Sequence, residues 1–255
     1  MLEVRSLCKS YSSIPAVDNV SFTIRPGDVL GYLGPNGSGK STTVKIITGL
    51  LEPTSGSVLF RGNNIRENLT EYKRIIGYVP EEANLYPFLS GLEYLQLVSR
   101  LRGLPELLSE HRAESLLELF AMRPHRHTVI AAYSKGMRQR ILLIAALLHN
   151  PQLIIFDEPL SGLDVTSALI FRKLVQALAR ENKTIFYCSH VLEVVEKVCS
   201  HVTILQRGKQ LASGSIEELK HFRSMPSLED AFSSLVQEVD IEQSAAAIVD
   251  AVVSR

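Results

Sequence analysis

The stretch GPNGSGKST, Gly34 to Thr42, sets glycines, a lysine and adjacent hydroxyls at fixed spacing. Gly34, Gly37 and Gly39 let a short loop fold tightly, so that consecutive backbone N–H groups point inward at phosphate oxygens. Pro35, Asn36 and Ser38 fill the rest of the loop. Gly34, Gly39, Lys40 and Ser41 match the pattern G-x-x-x-x-G-K-[ST], in which the lysine meets the β- and γ-phosphates and the hydroxyl can ligate Mg²⁺. Thr42 continues into TTVKIITGL, a helical pattern whose N-terminal dipole adds to an anion site.

A second stretch, LIIFDEP (Leu153 to Pro159), is a buried apolar run ending on two carboxylates. Asp157 at the strand end can hold Mg²⁺ through water, and Glu158 can polarise an attacking water as general base. Alone, such a pair reads as a solvated loop start; downstream of a phosphate loop it reads as chemistry.

These side chains need a scaffold. LEVRSL, VSFTI, VLGYL, GSVLFRG and IIGYV are short, rich in Val, Ile, Leu and aromatics, and bounded by Gly, Pro or Asp, which predicts strands. From about Leu89 to Asn150 the apolar spacing turns helical. LIIFD, TIFYC and HVTILQ then bring strands back, separated by helix patterns. Alternation of this kind predicts an α/β core with a mostly parallel, covered sheet, interrupted by a helical insertion. RGKQ (Arg207 to Gln210) reads as a hairpin turn, and the chain after Ser213 as short helices ending in SAAAIVDAVV.

Composition limits the partners. Lys plus Arg (27) equals Asp plus Glu (27) over 255 residues, so no basic excess points to nucleic acid. Cys8, Cys188 and Cys199 are scattered, which fits a reducing cytoplasm rather than a disulfide framework. The opening MLEVRSLCKSY has no long apolar core, so no signal peptide is expected. The longest apolar run, ILLIAALL, is far short of the ~20 residues that span a bilayer.

With the phosphate loop and LIIFDEP in order, the chain resembles the ATP-binding subunit of an ABC transporter from Leu2 to about Phe232. That resemblance implies a P-loop NTPase fold with an N-terminal antiparallel β part and an inserted helical subdomain at about 88–150. It divides the chain into an ATP-binding domain, 1–235, and a short helical tail, 236–255. SGLD resembles the family's D-loop, with Ser161 and Asp164, and CSH leads to a switch histidine, His190, that would contact the γ-phosphate. Tyr11 stands where the family stacks an aromatic on adenine. YSKGM occupies the place of the L-S-G-G-Q signature, so Ser134, Lys135, Gly136 and Met137 would face the ATP held by a second subunit. Ser134 can donate a hydroxyl hydrogen bond, and Gly136 admits close backbone approach. Lys135 replaces a glycine and Met137 a glutamine.

Glu81, in GYVPEEANLYPFLSG, stands where the family has a glutamine reaching for Mg²⁺. A carboxylate still offers oxygen to a hard cation. Glutamate at this place, YSKGMRQR and the stretch PSLEDAF (Pro226 to Phe232) resemble the exporter branch that serves a separate permease. The implied protein binds ATP and Mg²⁺, pairs with a second, identical ATP-binding subunit, and sits in the cytoplasm on the inner face of the membrane. Leu85, Tyr86, Phe88 and Leu89 are expected to line the groove for the permease. The rival reading is an ABC ATPase acting on nucleic acid or ribosomes; the chain lacks the long coiled coil or paired ATP domains of those proteins. A P-loop kinase leaves YSKGM, SGLD and His190 without a role.

Overall fold

The structure, a computed structural model, describes residues 1–222 together with Leu228, Asp230 and Phe232. A hairpin of β1 (Leu2–Tyr11) and β2 (Ile14–Ile24) opens the chain, and β3 (Val29–Leu33) leads through the glycine loop into α1 (Lys40–Ile47). Next come β4 (Ser55–Phe60), β5 (Asn63–Asn64), α2 (Leu69–Ile75) and β6 (Ile76–Val79). Three helices follow, α3 (Gly91–Arg102), α4 (Glu106–Leu119) and α5 (Lys135–Leu147). The chain then alternates through β7 (Leu153–Asp157), α6 (Val165–Arg180), β8 (Thr184–Cys188), α7 (Leu192–Val198) and β9 (His201–Gln206). After β10 (Lys209–Ser215) comes α8 (Ile216–Phe222).

Two sheets result. β2-β1-β4-β5 pair antiparallel, while β10-β9-β3-β8-β7-β6 form a sheet that is parallel from β9 to β6, with β10 antiparallel at its edge. Period-2 alternation explains why the central strands are apolar throughout. In β7, Leu153 and Ile155 join the core shared with the antiparallel sheet, while Ile154 and Phe156 join the core under α5 and α6. In β8, Phe186 and Cys188 face the first core, and Ile185 and Tyr187 the second. Phe22, Tyr32 and Phe186 meet in the first at centroid distances of 5.0 to 5.9 Å; Phe156 and Phe171 meet edge-on in the second at 5.0 Å.

α5 explains its own sequence. Leu142, Leu143 and Ala146 belong to the sheet core, whereas Ile141, Ile144 and Ala145 pack with Leu95, Ala113 and Leu117 of the helical insertion. A helix buried on both sides is apolar all round. α3 starts on a capping box, Ser90 Oγ accepting from Glu93 N–H while the Glu93 carboxylate accepts from Ser90 N–H, and it stops at Gly103 with φ 72°.

The structure extends some expectations. The first two strands run well past LEVRSL and VSFTI, because the polar Lys9 and Ser10 still pair across the hairpin up to Tyr11↔Ile14. β5 and α2 had no sequence signal: one is a two-residue strand, the other a short, mostly polar helix capped by Asn68. β10 continues to Ser215, past the expected start of helices. Of PSLEDAF, only Leu228, Asp230 and Phe232 are described; the expected tail helices over 236–255 lie outside the described residues.

Candidate functional site

β3, β8 and β7 are parallel neighbours, with Tyr32 opposite Cys188 and Cys188 opposite Asp157. Their carboxyl ends therefore bring the glycine loop, the CSH segment and the Asp157–Glu158 pair to one edge of the sheet, where open α/β sheets place ligands. A cleft of about 330 Å³ opens there. Asn36, Gly37 and Gly39 to Thr42 line it from the loop, with Glu81, Asp157, Glu158 and His190 opposite.

The loop is held by contacts that exclude larger residues. Gly39 has φ 103°, and a Cβ there would lie 2.3 Å from the Ala16 carbonyl oxygen. Buried Lys40 folds over its own loop, Nζ donating to the carbonyls of Gly34 (2.6 Å) and Pro35 (3.1 Å). Thr43 Oγ1 donates to Gly39 O at 3.1 Å and accepts from Tyr32 Oη at 3.0 Å, tying α1 to β3. Ser38 Oγ is buried without a partner among the described residues, a polar group left over for a ligand or water.

Asp157 is buried at the end of β7. Burial pushes its carboxyl up to about 6; the Cys188 thiol bond opposes this, repulsion from Glu81 and Glu158 adds to it, and Lys40 opposes it. Glu158 follows with φ 48°, a left-handed conformation costly for a non-glycine residue that turns its side chain back into the cleft. Its Oε1 lies 2.7 Å from His190 Nδ1, its Oε2 accepts from Ser189 Oγ at 3.2 Å, and its N–H donates to Cys188 O at 2.9 Å. A carboxylate oriented by a histidine and a serine, beside a lysine and a glycine loop, can accept a proton from a water attacking phosphate.

Other expected residues lie elsewhere. Ser134, Lys135, Gly136 and Met137 start α5, where Ser134 Oγ accepts from Met137 N–H at 3.2 Å; none of the four lines the cleft. Ser134 and Lys135 are exposed. Tyr11 ends β1, half-exposed beneath the Lys9 ammonium and outside the lining of the cleft. Ser161 N–H donates to Glu158 O at 3.1 Å, and Asp164 caps α6 by accepting from Ser167 N–H at 2.8 Å.

Several structural partners carried no sequence signal. Ala16, on the distant hairpin, lines the cleft; Ser189 braces Glu158; Gln139 Nε2 donates to Pro159 O at 3.0 Å. Arg140 Nη2 reaches Asp164 Oδ2 at 3.1 Å and Ser167 Oγ at 3.0 Å. A Cβ on Gly136 would meet Gly162 O at 2.9 Å. The start of α5 is thus fastened to the loop that carries Glu158.

A family profile described as ABC transporter matches residues 17–161. The chain belongs to that family. Like it, the ABC transporter ATP-binding protein NatA of Bacillus subtilis strain 168 is a member, 40% identical over 207 residues, 81% of this chain and 84% of NatA. A solved ATP-binding subunit of an ABC transporter superposes with a TM-score of 0.88 at 31% identity, covering 92% of this chain and 99% of that one. A dimeric ATP-binding cassette in a post-hydrolysis state, bound to ADP and Pi, superposes with a TM-score of 0.78 at 26% identity over 84% of this chain and 98% of that one. This ABC protein is an ATP-binding and ATP-hydrolysing subunit of a transporter, built on the P-loop NTPase fold. Among the described residues no helix is long and apolar enough to cross a membrane.

Proposed function

We propose that residues 1–235, with the helical insertion at about 88–150, act as one ATP-driven domain that pairs head to tail with a second copy. Each cleft is then completed by the other copy's Ser134, Lys135, Gly136 and Met137. One observation carries this reading: Lys40, Ser41, Glu81, Asp157, Glu158 and His190 share a cleft that the exposed start of α5 does not line. A helix N-terminus facing outward, with Ser134 and Lys135 exposed, fits the terminal phosphate of a nucleotide held by the other copy.

In the cleft, the glycine-loop N–H groups and Lys40 hold the phosphates, and outside it exposed Tyr11 covers the adenine. Ser41, Asp157 and Glu81 present oxygen donors that suit a hard cation, and three carboxyl groups crowded near one lysine favour a divalent one. Mg²⁺ bound there supplies charge neutralisation on the β- and γ-phosphates. Glu158 takes a proton from the attacking water while the water oxygen bonds to the γ-phosphorus. The bond from that phosphorus to the bridging oxygen breaks, and ADP leaves with the electron pair. His190 and Ser189 hold the Glu158 carboxylate in position, and Ser161 and Asp164 brace the loop beneath it. Closure and reopening of the dimer then drive a separate permease on the inner face of the membrane, in the export direction that Glu81 and YSKGMRQR support.

Glu158→Gln tests the central role. The variant should keep ATP binding, lose turnover by roughly 10²–10⁴-fold, and accumulate as a nucleotide-bound dimer in sizing experiments with Mg-ATP. Near-normal turnover would reject Glu158 as the base.

A further inference from the structure

The hairpin of β1 and β2 is fastened to the glycine loop through a single carbonyl. Lys9 pairs with Val17 and Ser10 with Pro15, so Ala16 is the extra residue of a bulge on β2. Its carbonyl oxygen is wedged between two glycines: a Cβ on Gly39 would lie 2.3 Å from it, and one on Gly208 3.0 Å. Gly208 N–H in turn donates to Ser38 O at 3.0 Å, and Gly208 O accepts from Asp18 N–H at 2.8 Å. Glycine loop, hairpin and the turn between β9 and β10 thus hold one another beside the cleft that Ala16 lines.

This junction decides which hairpin side chains face the loop. Val17 Cγ2 lies 3.4 Å from the Cβ position of Gly39, so the Val17 side chain points at the glycine loop. Directly opposed residues of an antiparallel pair share a face, which puts Lys9 on that side, with Tyr11 two residues along the same strand. The two side chains meet, Lys9 Nζ lying 5.6 Å from the Tyr11 ring centroid. Lys9 is half-buried and makes no ion pair among the described residues, so the electron-rich face of the ring is the partner of its ammonium. The Tyr11 ring is 49% exposed, which leaves it surface on which a ligand can stack.

We propose that Lys9 is a positioning residue for the nucleotide base. Its ammonium holds one face of the Tyr11 ring, and the purine stacks on the other. An exposed tyrosine loses rotamer freedom when a base stacks on it; a ring already held by a cation loses less, so the same stack binds more tightly. Lys9 acts through the ring and donates nothing to the nucleotide itself. Stacking reads a π-face and no base edge, so the contribution is equal for adenine and guanine. The inference rests on the reading above in which Tyr11 covers the adenine, and it adds what fixes that ring and which bases the ring takes.

The test removes the charge and keeps the alkyl stem. In the full chain, Lys9→Met should raise KM for ATP about threefold with kcat unchanged, and weaken GTP binding by the same factor in calorimetry. Lys9→Arg should restore the wild-type KM. Affinity for inorganic tripolyphosphate, which has no base, should stay at the wild-type value in Lys9→Met. In a Tyr11→Ala chain the further change Lys9→Met should raise KM no more. A wild-type KM in Lys9→Met beside a raised one in Tyr11→Ala overturns the inference and leaves the Tyr11 reading standing. A loss that persists in the Tyr11→Ala chain, extends to tripolyphosphate or is confined to ATP also overturns it, because Lys9 would then contact the nucleotide itself. A wild-type KM in Tyr11→Ala removes the stacking reading and the inference with it.

Discussion

At neutral pH the folded, nucleotide-free chain holds an ionised Asp157 that folding has stripped of water. Its carboxyl is pushed up to about 6, mainly by burial, against an unfolded value near ~4. A raised carboxyl pKa means that the folded state binds the proton more tightly, so this group costs stability progressively as pH rises from about 4 to about 6. His149 works the other way. Burial lowers it to about 4, below an unfolded value near ~6.5, so stability is lost as pH falls between those values. In the wild-type chain the two slopes oppose each other. Asp157→Asn should therefore raise the melting temperature at pH 7, by roughly 1–3 kcal/mol of stability, and expose a steeper acid loss between pH 6.5 and 4. The same variant should hydrolyse ATP poorly. Melting curves across that pH range check the sign: a variant less stable than wild type at pH 7 would contradict the account. Both Asp157 and the glycine loop were legible because their chemistry is set within a few consecutive residues. Ala16 and Ser189 were not, since an alanine on a distant hairpin and a serine beside a histidine look like any others until the chain folds.

The elements show which patterns a sequence can carry. The apolar run ILLIAALL was legible as such, and the structure divides it between two cores. α2 was missed because a short, mostly polar helix held by one cap leaves no periodic stripe. What joins α5 to its neighbour was invisible for another reason: Gln139–Pro159, Arg140–Asp164 and Gly136 against Gly162 are contacts between segments about twenty residues apart. They tie the start of α5 to the loop that carries Glu158. Arg140→Ala removes one tie while Asp164 keeps its cap on α6. ATP affinity should stay near wild type, since Lys40 and the glycine loop are untouched, while kcat falls about tenfold as the signature end loosens. A variant that weakens nucleotide binding and spares kcat would show the tie to be merely structural.

For the whole molecule, the sequence expected one apolar cluster after Glu81 and the structure divides it. Leu85 packs against the cores, whereas Tyr86 and Phe88 are 62% and 90% exposed. A phenylalanine so exposed, seven residues after Glu81, marks a contact surface. Tyr86→Ala with Phe88→Ala should release the subunit from membranes with a tens-fold loss of affinity and leave ATP binding intact. Continued membrane attachment with only a lower melting temperature would return these rings to a packing role. Head-to-tail assembly was legible only as a resemblance, because the site proposed for the start of α5 lies on a second copy. The most direct measurement mixes two lesions. Lys40→Ala damages one half of a composite site and Ser134→Arg the other, so a heterodimer isolated through two different tags contains one site with both halves intact. The account predicts ATP hydrolysis by that heterodimer well above either homodimeric variant, near half the wild-type rate per dimer if sites act independently. A pure heterodimer no more active than its parents would contradict head-to-tail completion of the site.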